Sequence, residues 1–305
     1  MELAMITRFA PTPSGYLHLG NIFCFACTSA LSRKLKGDIL LRIDDMDNER
    51  ADERYVADIF ETLGFLGITW QIGPKDLNEF KFRFSQRLRL PLYEHALRQL
   101  KDKGLIFACK CSRAEVLANS TDGGYPGTCR HRNLDLDEPG VNWRMKTDTA
   151  LPVQIQSPQG ISSHYIPPDM RDFVVRKKDG FPAYQLCSVI DDIHFGVNLI
   201  VRGEDLLHSS IAQLYLAAQL GLNQFTQSLF VHHPLLTDKQ GRKLSKSAGD
   251  TSIQFLRNAG ARPEDVFSLI AMQSGYDQHI SNWNEMLDWI DKNFLYTVKS
   301  GHCDV

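Results

Sequence analysis

Two short segments, far apart in the chain, carry side chains that could bind and activate a nucleotide. Residues 18–21 read His-Leu-Gly-Asn, and residues 243–247 read Lys-Leu-Ser-Lys-Ser. In the first, glycine lets the backbone approach a ligand, the start of a helix attracts phosphate, and His18 adds a donor. In the second, paired lysines suit ATP, because positioned cations stabilise the charge that builds on a transferring phosphoryl group. Together the segments predict a chain that activates an acid on ATP.

Either segment alone is a weak indication of function. An isolated His-x-Gly-Asn is about as often an ordinary Gly/Pro turn with a surface histidine, since such motifs need context. A lysine cluster is most often a solvated loop. The predicted ATP-binding residues are His18, Gly20, Asn21, Lys243, Ser245 and Lys246. Three of these are the predicted catalytic residues: His18, Lys243 and Lys246.

The elements that would position these segments alternate between strands and helices. Prolines 11 and 13 end an apolar run and fix a turn, after which a helical pattern resumes. The same order continues in a β-α-β-α unit and returns in a second such unit later in the chain. The predicted strands are residues 3–9, 39–43, 153–156, 173–176, 199–201 and 229–232. The predicted helices are residues 22–35, 52–64, 93–103, 211–220, 263–273 and 283–294.

These elements predict an α/β fold with a Rossmann-type parallel sheet. The two halves of the sheet, residues 1–92 and 181–250, carry both segments after strands, and such sheets bind ligands at the carboxyl ends of their strands. An inserted α/β subdomain, residues 93–180, interrupts the sheet. A short helical segment, residues 251–305, follows it.

Length, composition and charge exclude several classes of protein. The chain has 305 residues, of which 43% are hydrophobic, enough for a packed core. It has no apolar run long enough to span a membrane and no signal-peptide pattern, so we expect a soluble cytoplasmic protein without a membrane partner. We also expect the protein to be a monomer. The net charge of −2 means that any RNA contact must use local patches. The basic clusters at residues 83–89, 130–132 and 176–178 are not assigned to a site.

The seven cysteines are an odd number and scattered, which predicts reduced thiols. Cys24 and Cys27 form a CxxC pattern, but they fall in an apolar helix and are interpreted as buried small residues. Cys109, Cys111 and Cys129 converge with a tyrosine across a turn-rich loop. Zinc prefers four such ligands, although by spacing alone three reduced cysteines without a metal are the more common arrangement. The candidate fourth ligands are Tyr125 and His131.

Taken together, residues 18–21 and 243–247 resemble the two signatures of class I aminoacyl-tRNA synthetases, usually written HIGH and KMSKS. Leu244 replaces the usual methionine with a side chain of similar volume. The resemblance implies ATP with Mg2+ as the activating nucleotide. Within this class, Cys-x-Cys followed by Tyr-x3-Cys resembles the zinc site of glutamyl-queuosine tRNA(Asp) synthetases. It implies one structural zinc ion held by Cys109, Cys111, Tyr125 and Cys129.

Further motifs resemble the glutamyl branch of these synthetases, from Arg8 to about Gly249. Arg8 and Arg202 would each meet a carboxylate, and an arginine that faces carboxylate favours glutamate over glutamine. The alternative roles are structural, with Arg202 as an ion-pair partner and Tyr184 as a half-buried strand residue. The glutamate-binding residues that the resemblance implies are Arg8, Phe9, Ala10, Pro11, Thr12, Asp44, Tyr184 and Arg202.

One position departs from the pattern of the family. The family's Arg-Ile-Glu-Asp-x-Asp reads Arg-Ile-Asp-Asp-Met-Asp at residues 42–47, so the carboxylate of Asp44 that would meet the substrate ammonium is one methylene shorter. Water or a small shift fills the gap, or the pocket has changed. Asp191 and Asp192 also match the family and are interpreted as structural residues or as residues that position the ATP site.

The resemblance implies two reaction steps. L-glutamate and ATP would give glutamyl-adenylate, and the glutamyl group would then pass to the queuosine base at the wobble position of tRNA(Asp). The short sequence after residue 249 favours this acceptor, because a full glutamyl-tRNA synthetase continues with an anticodon-binding region. The alternatives are a glutamyl-tRNA synthetase catalytic subunit that charges a tRNA 3′ end, and an inactive relative that binds RNA or a protein partner.

Overall fold

The computed structural model describes residues 4–47, 51–236 and 252–295. Within these ranges the strands are β1 (Ile6–Phe9), β2 (Asp38–Leu41), β3 (Ile106–Cys109), β4 (Asn142–Met145), β5 (Val153–Ser157), β6 (Gly160–His164), β7 (Val174–Arg176), β8 (Leu199–Gly203) and β9 (Leu229–His233). The helices are α1 (Leu19–Lys34), α2 (Glu53–Phe65), α3 (Leu77–Glu79), α4 (Leu90–Asp102), α5 (Arg113–Asn119), α6 (Tyr184–His194), α7 (Leu207–Leu220), α8 (Asn223–Thr226), α9 (Ile253–Asn258), α10 (Pro263–Gln273) and α11 (Trp283–Phe294).

The chain divides into two compact units. The first contains the described residues of 1–85, 199–204 and 231–305, and the second contains residues 86–198 and 205–230. The predicted insertion, residues 93–180, therefore lies within the second unit. Each unit is built from two or more stretches of chain, so its elements are neighbours in space without being neighbours in sequence.

The first unit contains a parallel strand pair that places the first signature. β1 and β2 pair in register from Ile6 with Asp38 to Phe9 with Leu41. α1 connects them, and its side chains are buried on nearly all sides. Phe9 of β1 and Ile39, Leu40 and Leu41 of β2 are buried as well, as expected for parallel strands covered on both faces. The loop between β1 and α1 is thus held at the carboxyl end of β1.

Helix α11 covers part of α1 in the same unit. Phe294 contacts Phe23 edge to face, with ring centroids 5.0 Å apart. At the solvent edge, ion pairs join Arg33 to Asp288 at 2.6 Å and Lys34 to Asp291 at 3.0 Å. The helix predicted for residues 283–294 is confirmed, and its buried residues are Met286, Leu287, Trp289 and Ile290.

The strands of the second unit pair mostly in the antiparallel direction. β3, β4 and β7 form an antiparallel sheet, and β5 and β6 form an antiparallel hairpin. β5 also pairs in parallel with the start of β9, Gln156 opposite Leu229. The predicted α/β class is therefore confirmed, but the strands of the described residues form mixed sheets.

A buried carboxylate joins two helices of the second unit. Asp191 of α6 accepts hydrogen bonds from Arg89 Nε at 2.7 Å, Arg89 Nη2 at 2.9 Å, Gln86 Nε2 at 2.9 Å and the Tyr93 hydroxyl at 2.6 Å. Asp191 is fully buried, and its three partners are at most 6% exposed. The structural role predicted for Asp191 is confirmed by these contacts, which fix α6 to the start of α4.

Most predicted elements are confirmed with small shifts at their ends. α10 and α11 have the predicted bounds, while α1 begins three residues before the predicted start. Among the described residues, the search for a helix long and apolar enough to cross a membrane found none.

Candidate active site

The first signature forms the start of α1. His18 is the residue before the helix, and its backbone amide donates to Asn21 Oδ1 at 3.0 Å. Asn21 thereby caps the helix that it belongs to, which fixes the turn on which His18 is held. A Cβ atom on residue 20 would lie 3.0 Å from His18 Cε1 and 3.1 Å from Nδ1. Glycine at this position leaves room for the imidazole against the helix start.

We expect Gly20→Ala to separate activity from stability. Alanine favours a helix by up to about 1 kcal/mol, so the free energy of unfolding should change little. The added methyl group displaces the His18 ring, and the rate of ATP–pyrophosphate exchange should fall about tenfold. Gly64→Ala is the matched control, because a Cβ at this helical glycine meets no atom within 4 Å. Equal exchange rates in both variants would contradict a role for the His18 position.

The chain that follows the second signature is hydrogen-bonded to the first. Ile253 N donates to the Leu17 carbonyl at 2.8 Å, and Ser252 forms an antiparallel bridge with His18. These contacts lie within the first unit. The remaining predicted ATP-binding residues, Lys243, Ser245 and Lys246, lie outside the described residues. Ser252, the first described residue after them in the sequence, is therefore a direct neighbour of His18.

The predicted carboxylate-binding arginines both lie in the first unit. Arg8 on β1 is 5% exposed, and its Nη1 donates to the Val201 carbonyl on β8 at 3.1 Å. Arg202, the next residue on β8, is 3% exposed. β1 and β8 are thus tied by the side chain of Arg8. A guanidinium buried to this degree interacts with a carboxylate more strongly than one in water.

Asp44 is held by Arg42, and both residues lie in the segment that directly follows β2. Arg42 Nε donates to Asp44 Oδ1 at 2.7 Å and Arg42 Nη2 to Oδ2 at 3.0 Å, and both side chains are buried. Asp44 N donates to the Pro11 carbonyl at 2.9 Å, which places the carboxylate beside the Arg8–Thr12 stretch. A carboxylate offers about four acceptor sites, and the two hydrogen bonds from Arg42 orient this one.

The rest of the Arg8–Thr12 stretch continues from β1. Phe9 is buried and its carbonyl accepts from Arg42 N at 2.9 Å. Pro11 is buried, Ala10 is half-buried and Thr12 is exposed. The exposed side chain of Thr12 is the one in this stretch that solvent or a ligand reaches most readily.

Tyr184 lies in the second unit, as the first residue of α6. It is 44% exposed, so it is a helix residue with an accessible ring and the half-buried strand role is wrong. The next residue, Gln185, was not predicted to be a site residue. Its Nε2 donates to Ser209 Oγ at 3.1 Å, while its buried Oε1 has no hydrogen-bond partner in the described part of the chain. Its only sequence signal is its position beside Tyr184.

The three thiols of the predicted metal set converge in the second unit. Cys109, Cys111 and Cys129 place their Sγ atoms within 4.8 Å of one another, so they could hold a metal ion. Cys111 Sγ and Cys129 Sγ are 3.6 Å apart, and the Tyr125 hydroxyl is 3.3 Å from Cys109 Sγ. Tetrahedral zinc with Zn–S bonds of about 2.3 Å separates its sulfurs by about 3.8 Å. His131 is exposed and does not belong to the thiol group.

The surroundings of the thiols fix Tyr125 in this position. Its hydroxyl accepts from Cys129 N at 2.8 Å, and the Arg144 guanidinium lies over its ring, 3.9 Å from the centroid. A Cβ on Gly124 would overlap the Pro168 carbonyl, so the backbone before Tyr125 needs glycine. Burial and the hydrogen bond to Cys129 raise the pKa of the Cys111 thiol to about 11. A divalent ion would reverse that shift by stabilising the thiolates.

A family model matches residues 4–300, and its description is the catalytic domain of class I tRNA synthetases, E and Q. The chain belongs to this family. The recognition made from residues 18–21 and 243–247 is thus confirmed at the level of the family. The match covers both units and all the predicted site residues.

Curated relatives carry two kinds of name. A glutamyl-Q tRNA(Asp) synthetase of Dechloromonas aromatica is 37% identical over 245 residues, covering 78% of this chain and 77% of that protein. A glutamate–tRNA ligase 2 of Nitrosococcus oceani is 34% identical over 288 residues, covering 88% of this chain and 59% of that protein. The chain therefore spans about three fifths of the length of the second relative.

Among solved structures, a glutamate–tRNA synthetase from Elizabethkingia anophelis has the same fold, with a TM-score of 0.74. The two sequences are 24% identical, and the match covers 93% of this chain and 65% of that one. At this identity the likeness shows the fold alone.

Proposed function

We propose that the protein activates L-glutamate with ATP and transfers the glutamyl group to the queuosine base of tRNA(Asp). The observation that carries this proposal is the 37% identity to a glutamyl-Q tRNA(Asp) synthetase over about three quarters of both chains. The buried arginines Arg8 and Arg202 support glutamate, since each can pair with a substrate carboxylate. Asp44 would accept the substrate ammonium beside Arg42, and Tyr184 would contact the amino acid from α6.

In this proposal the protein mainly positions the two substrates and neutralises the charge of the phosphates. His18 and the amides at the start of α1 would bind ATP phosphates, with Gly20 and Asn21 shaping the turn. Lys243, Ser245 and Lys246 would meet the phosphates from the segment that ends beside His18. Mg2+ supplies further neutralising charge when it is bound with ATP. The α-phosphate then accepts the glutamate carboxylate while pyrophosphate leaves.

A second candidate function is the charging of a tRNA 3′ end. The 34% identity to the glutamate–tRNA ligase 2 of Nitrosococcus oceani favours it. Both functions share the glutamyl-adenylate and differ in the acceptor. Together with the first function we propose that residues 93–180 form an inserted subdomain and that the protein is a monomer.

The acceptor decides between these functions. Glutamate-dependent ATP–pyrophosphate exchange, measured with and without tRNA, tests the shared first step, and its absence under both conditions would remove both enzyme functions and leave an inactive binding relative. Labelled glutamate is then offered to total tRNA from strains with and without queuosine. We expect label only with queuosine, and expect it to persist on tRNA trimmed of its terminal 3′ adenosine. Label that disappears on trimming and does not need queuosine would establish charging of the 3′ end.

We also propose that one structural zinc ion is held by Cys109, Cys111, Cys129 and Tyr125. Two distances support it, because Cys111 Sγ to Cys129 Sγ at 3.6 Å and Cys109 Sγ to the Tyr125 hydroxyl at 3.3 Å are close to the edges of a zinc tetrahedron. The ion would hold the start of α5 and the loop before residue 130 to the end of β3. Its role would be to stabilise this part of the second unit.

Metal analysis checks the zinc proposal. We expect about one zinc per chain in purified protein, and Cys129→Ser should lose most of it and lower the melting temperature. Cys187→Ala is the matched control, because Cys187 is a buried thiol of the same unit outside the set. Full zinc in Cys129→Ser, or none in the wild-type protein after refolding with zinc, would contradict the assignment.

A further inference from the structure

A wide turn of the first unit holds the most exposed large apolar side chain of the described residues. Phe82 is 78% exposed, while Phe80, two residues earlier, is 4% exposed. The turn spans Phe80–Phe84 and is π-helical, because the Ser85 amide donates to the Phe80 carbonyl, five residues back, at 2.8 Å. Such turns are rare and frequently occur at functional sites. This segment, called the Phe82 turn below, buries one phenylalanine ring and holds another in solvent.

The Phe82 turn is fixed to the segment that carries the predicted substrate carboxylate. Ser85 Oγ, directly after the turn, donates to Asp45 Oδ2 at 2.6 Å, and both side chains are buried. Asp45 adjoins the predicted glutamate-binding residue Asp44. Within the turn, Lys81 Nζ forms an ion pair with Glu53 Oε2 of α2 at 2.7 Å. All these residues belong to the first unit, so the exposed ring is held in a defined place next to the Asp44 segment.

Cations flank the exposed ring in the sequence. Residues 81–89 contain four cations and no carboxylate, although the net charge of the chain is −2. The four cations are Lys81, Arg83, Arg87 and Arg89. The Arg83 side chain is 70% exposed, and the Glu79 carboxylate lies 3.2 Å from its Nη1. Exposed ion pairs of this kind contribute little, so a phosphate group can take the place of the carboxylate.

An accessible aromatic ring between cations is the arrangement that binds single-stranded nucleic acid. An unpaired base stacks on the ring, and the cations bind the adjoining phosphates. The core of a protein interface is instead depleted of charged residues, whereas Phe82 has a lysine and an arginine as its neighbours in the sequence. The composition of the Phe82 turn therefore favours RNA over an apolar protein partner.

We propose that the Phe82 turn is a binding site for single-stranded RNA, with an unpaired base stacked on Phe82 and its phosphates on Lys81 and Arg83. The inference rests on the proposed function, because it gives the unpaired nucleotides of the acceptor tRNA a surface beside the Asp44 segment. Stacking tolerates any base, so the site would hold the RNA without selecting its sequence.

Direct binding to the full chain tests the stacking contact. The probe is a fluorescein-labelled single-stranded RNA, and binding is followed by fluorescence anisotropy at low salt. Phe82→Ala should weaken binding at least about fivefold. Phe82→Trp keeps a ring that stacks and should bind as tightly as the wild type, whereas Phe82→Leu keeps only an apolar side chain and should bind as weakly as Phe82→Ala.

Phe255→Ala is the matched control, because it removes another exposed phenylalanine of the same unit. It should leave the affinity for the probe unchanged. Phe82 is a surface side chain, so all its variants should melt at the wild-type temperature. A wild-type protein that does not bind the probe, or a Phe82→Leu protein that binds it as the wild type does, would overturn the proposal. The second result would indicate an apolar docking surface for a protein.

The salt dependence of binding tests the phosphate contact. Arg83→Gln should lower the slope of log affinity against log salt by about 0.7, the value for one phosphate of a single strand. Arg262→Gln is the control, since the Arg262 side chain is also 70% exposed and also pairs with a carboxylate of the first unit. An Arg83→Gln protein with the slope of Arg262→Gln would contradict the phosphate contact.

Activity assays separate this inference from the proposed function. Phe82→Ala should exchange ATP and pyrophosphate at the wild-type rate, because the ring takes no part in forming the adenylate. In glutamyl transfer, its KM for tRNA should rise at least about fivefold while kcat changes little. A wild-type protein without exchange would remove the proposed function and leave the binding result standing. An unchanged KM for tRNA in a folded Phe82→Ala protein would overturn the inference and leave the proposed function intact.

Discussion

Asp191→Asn is expected to lower the free energy of unfolding of the second unit by about 3–5 kcal/mol. The carboxylate receives only donors, from Arg89, Gln86 and Tyr93, and all four side chains are buried. Asparagine removes the negative charge and turns an NH2 group toward some of these donors. The Arg89 guanidinium then stays buried without its counter-charge, which is the costly outcome.

Urea unfolding followed by hydrogen exchange in α4 and α6 measures this loss. Asp288→Asn serves as the control, because its ion pair with Arg33 is exposed, with the carboxylate side chain 72% accessible. An exposed pair contributes at most about 1 kcal/mol. If both substitutions cost the same, the buried network does not stabilise the unit as inferred here.

Lys246→Ala is expected to lower the rate of glutamate-dependent ATP–pyrophosphate exchange by about 10²–10³-fold. This is the magnitude seen when one group that stabilises transition-state charge is removed. The cation would act on the transferring phosphoryl group, so kcat should fall while the KM for glutamate changes little.

Lys239→Ala is the matched control, since it removes a lysine of the same chain segment outside the second signature. We expect less than about a twofold change in its exchange rate. Circular dichroism spectra of both variants show whether they fold alike. A Lys246→Ala protein as active as Lys239→Ala would contradict the catalytic role of the second signature.

Local sequence signals predicted where helices begin and end better than they predicted which side chains pair with one another. Pro263 at the first position of α10 and the Asn282 cap of α11 are ordinary start signals, and both helices have their predicted bounds. α1 starts earlier than predicted because histidine is an unusual residue before a helix. The Asn21 side chain, three residues into the motif, caps the amide of His18 instead.

Long-range pairings could not be predicted in the same way. The partners of Asp191 lie 98 to 105 residues away in sequence, and no local period points to them. The Arg42–Asp44 pair is different, since residues two apart on an extended segment point to the same side. Its spacing was visible, but the burial that makes it a tight bidentate pair depends on elements elsewhere in the chain.

The contact between α1 and α11 has a consequence for the order of events during synthesis. About 250 residues separate the two helices, so at roughly 5–20 residues per second the ribosome needs about 12–50 seconds between them. Until then, Phe23 lacks Phe294 as a neighbour, although α1 is apolar on nearly all sides. The nascent chain therefore exposes the apolar surface of α1 for most of its time on the ribosome. We expect chaperone binding to concentrate on this helix.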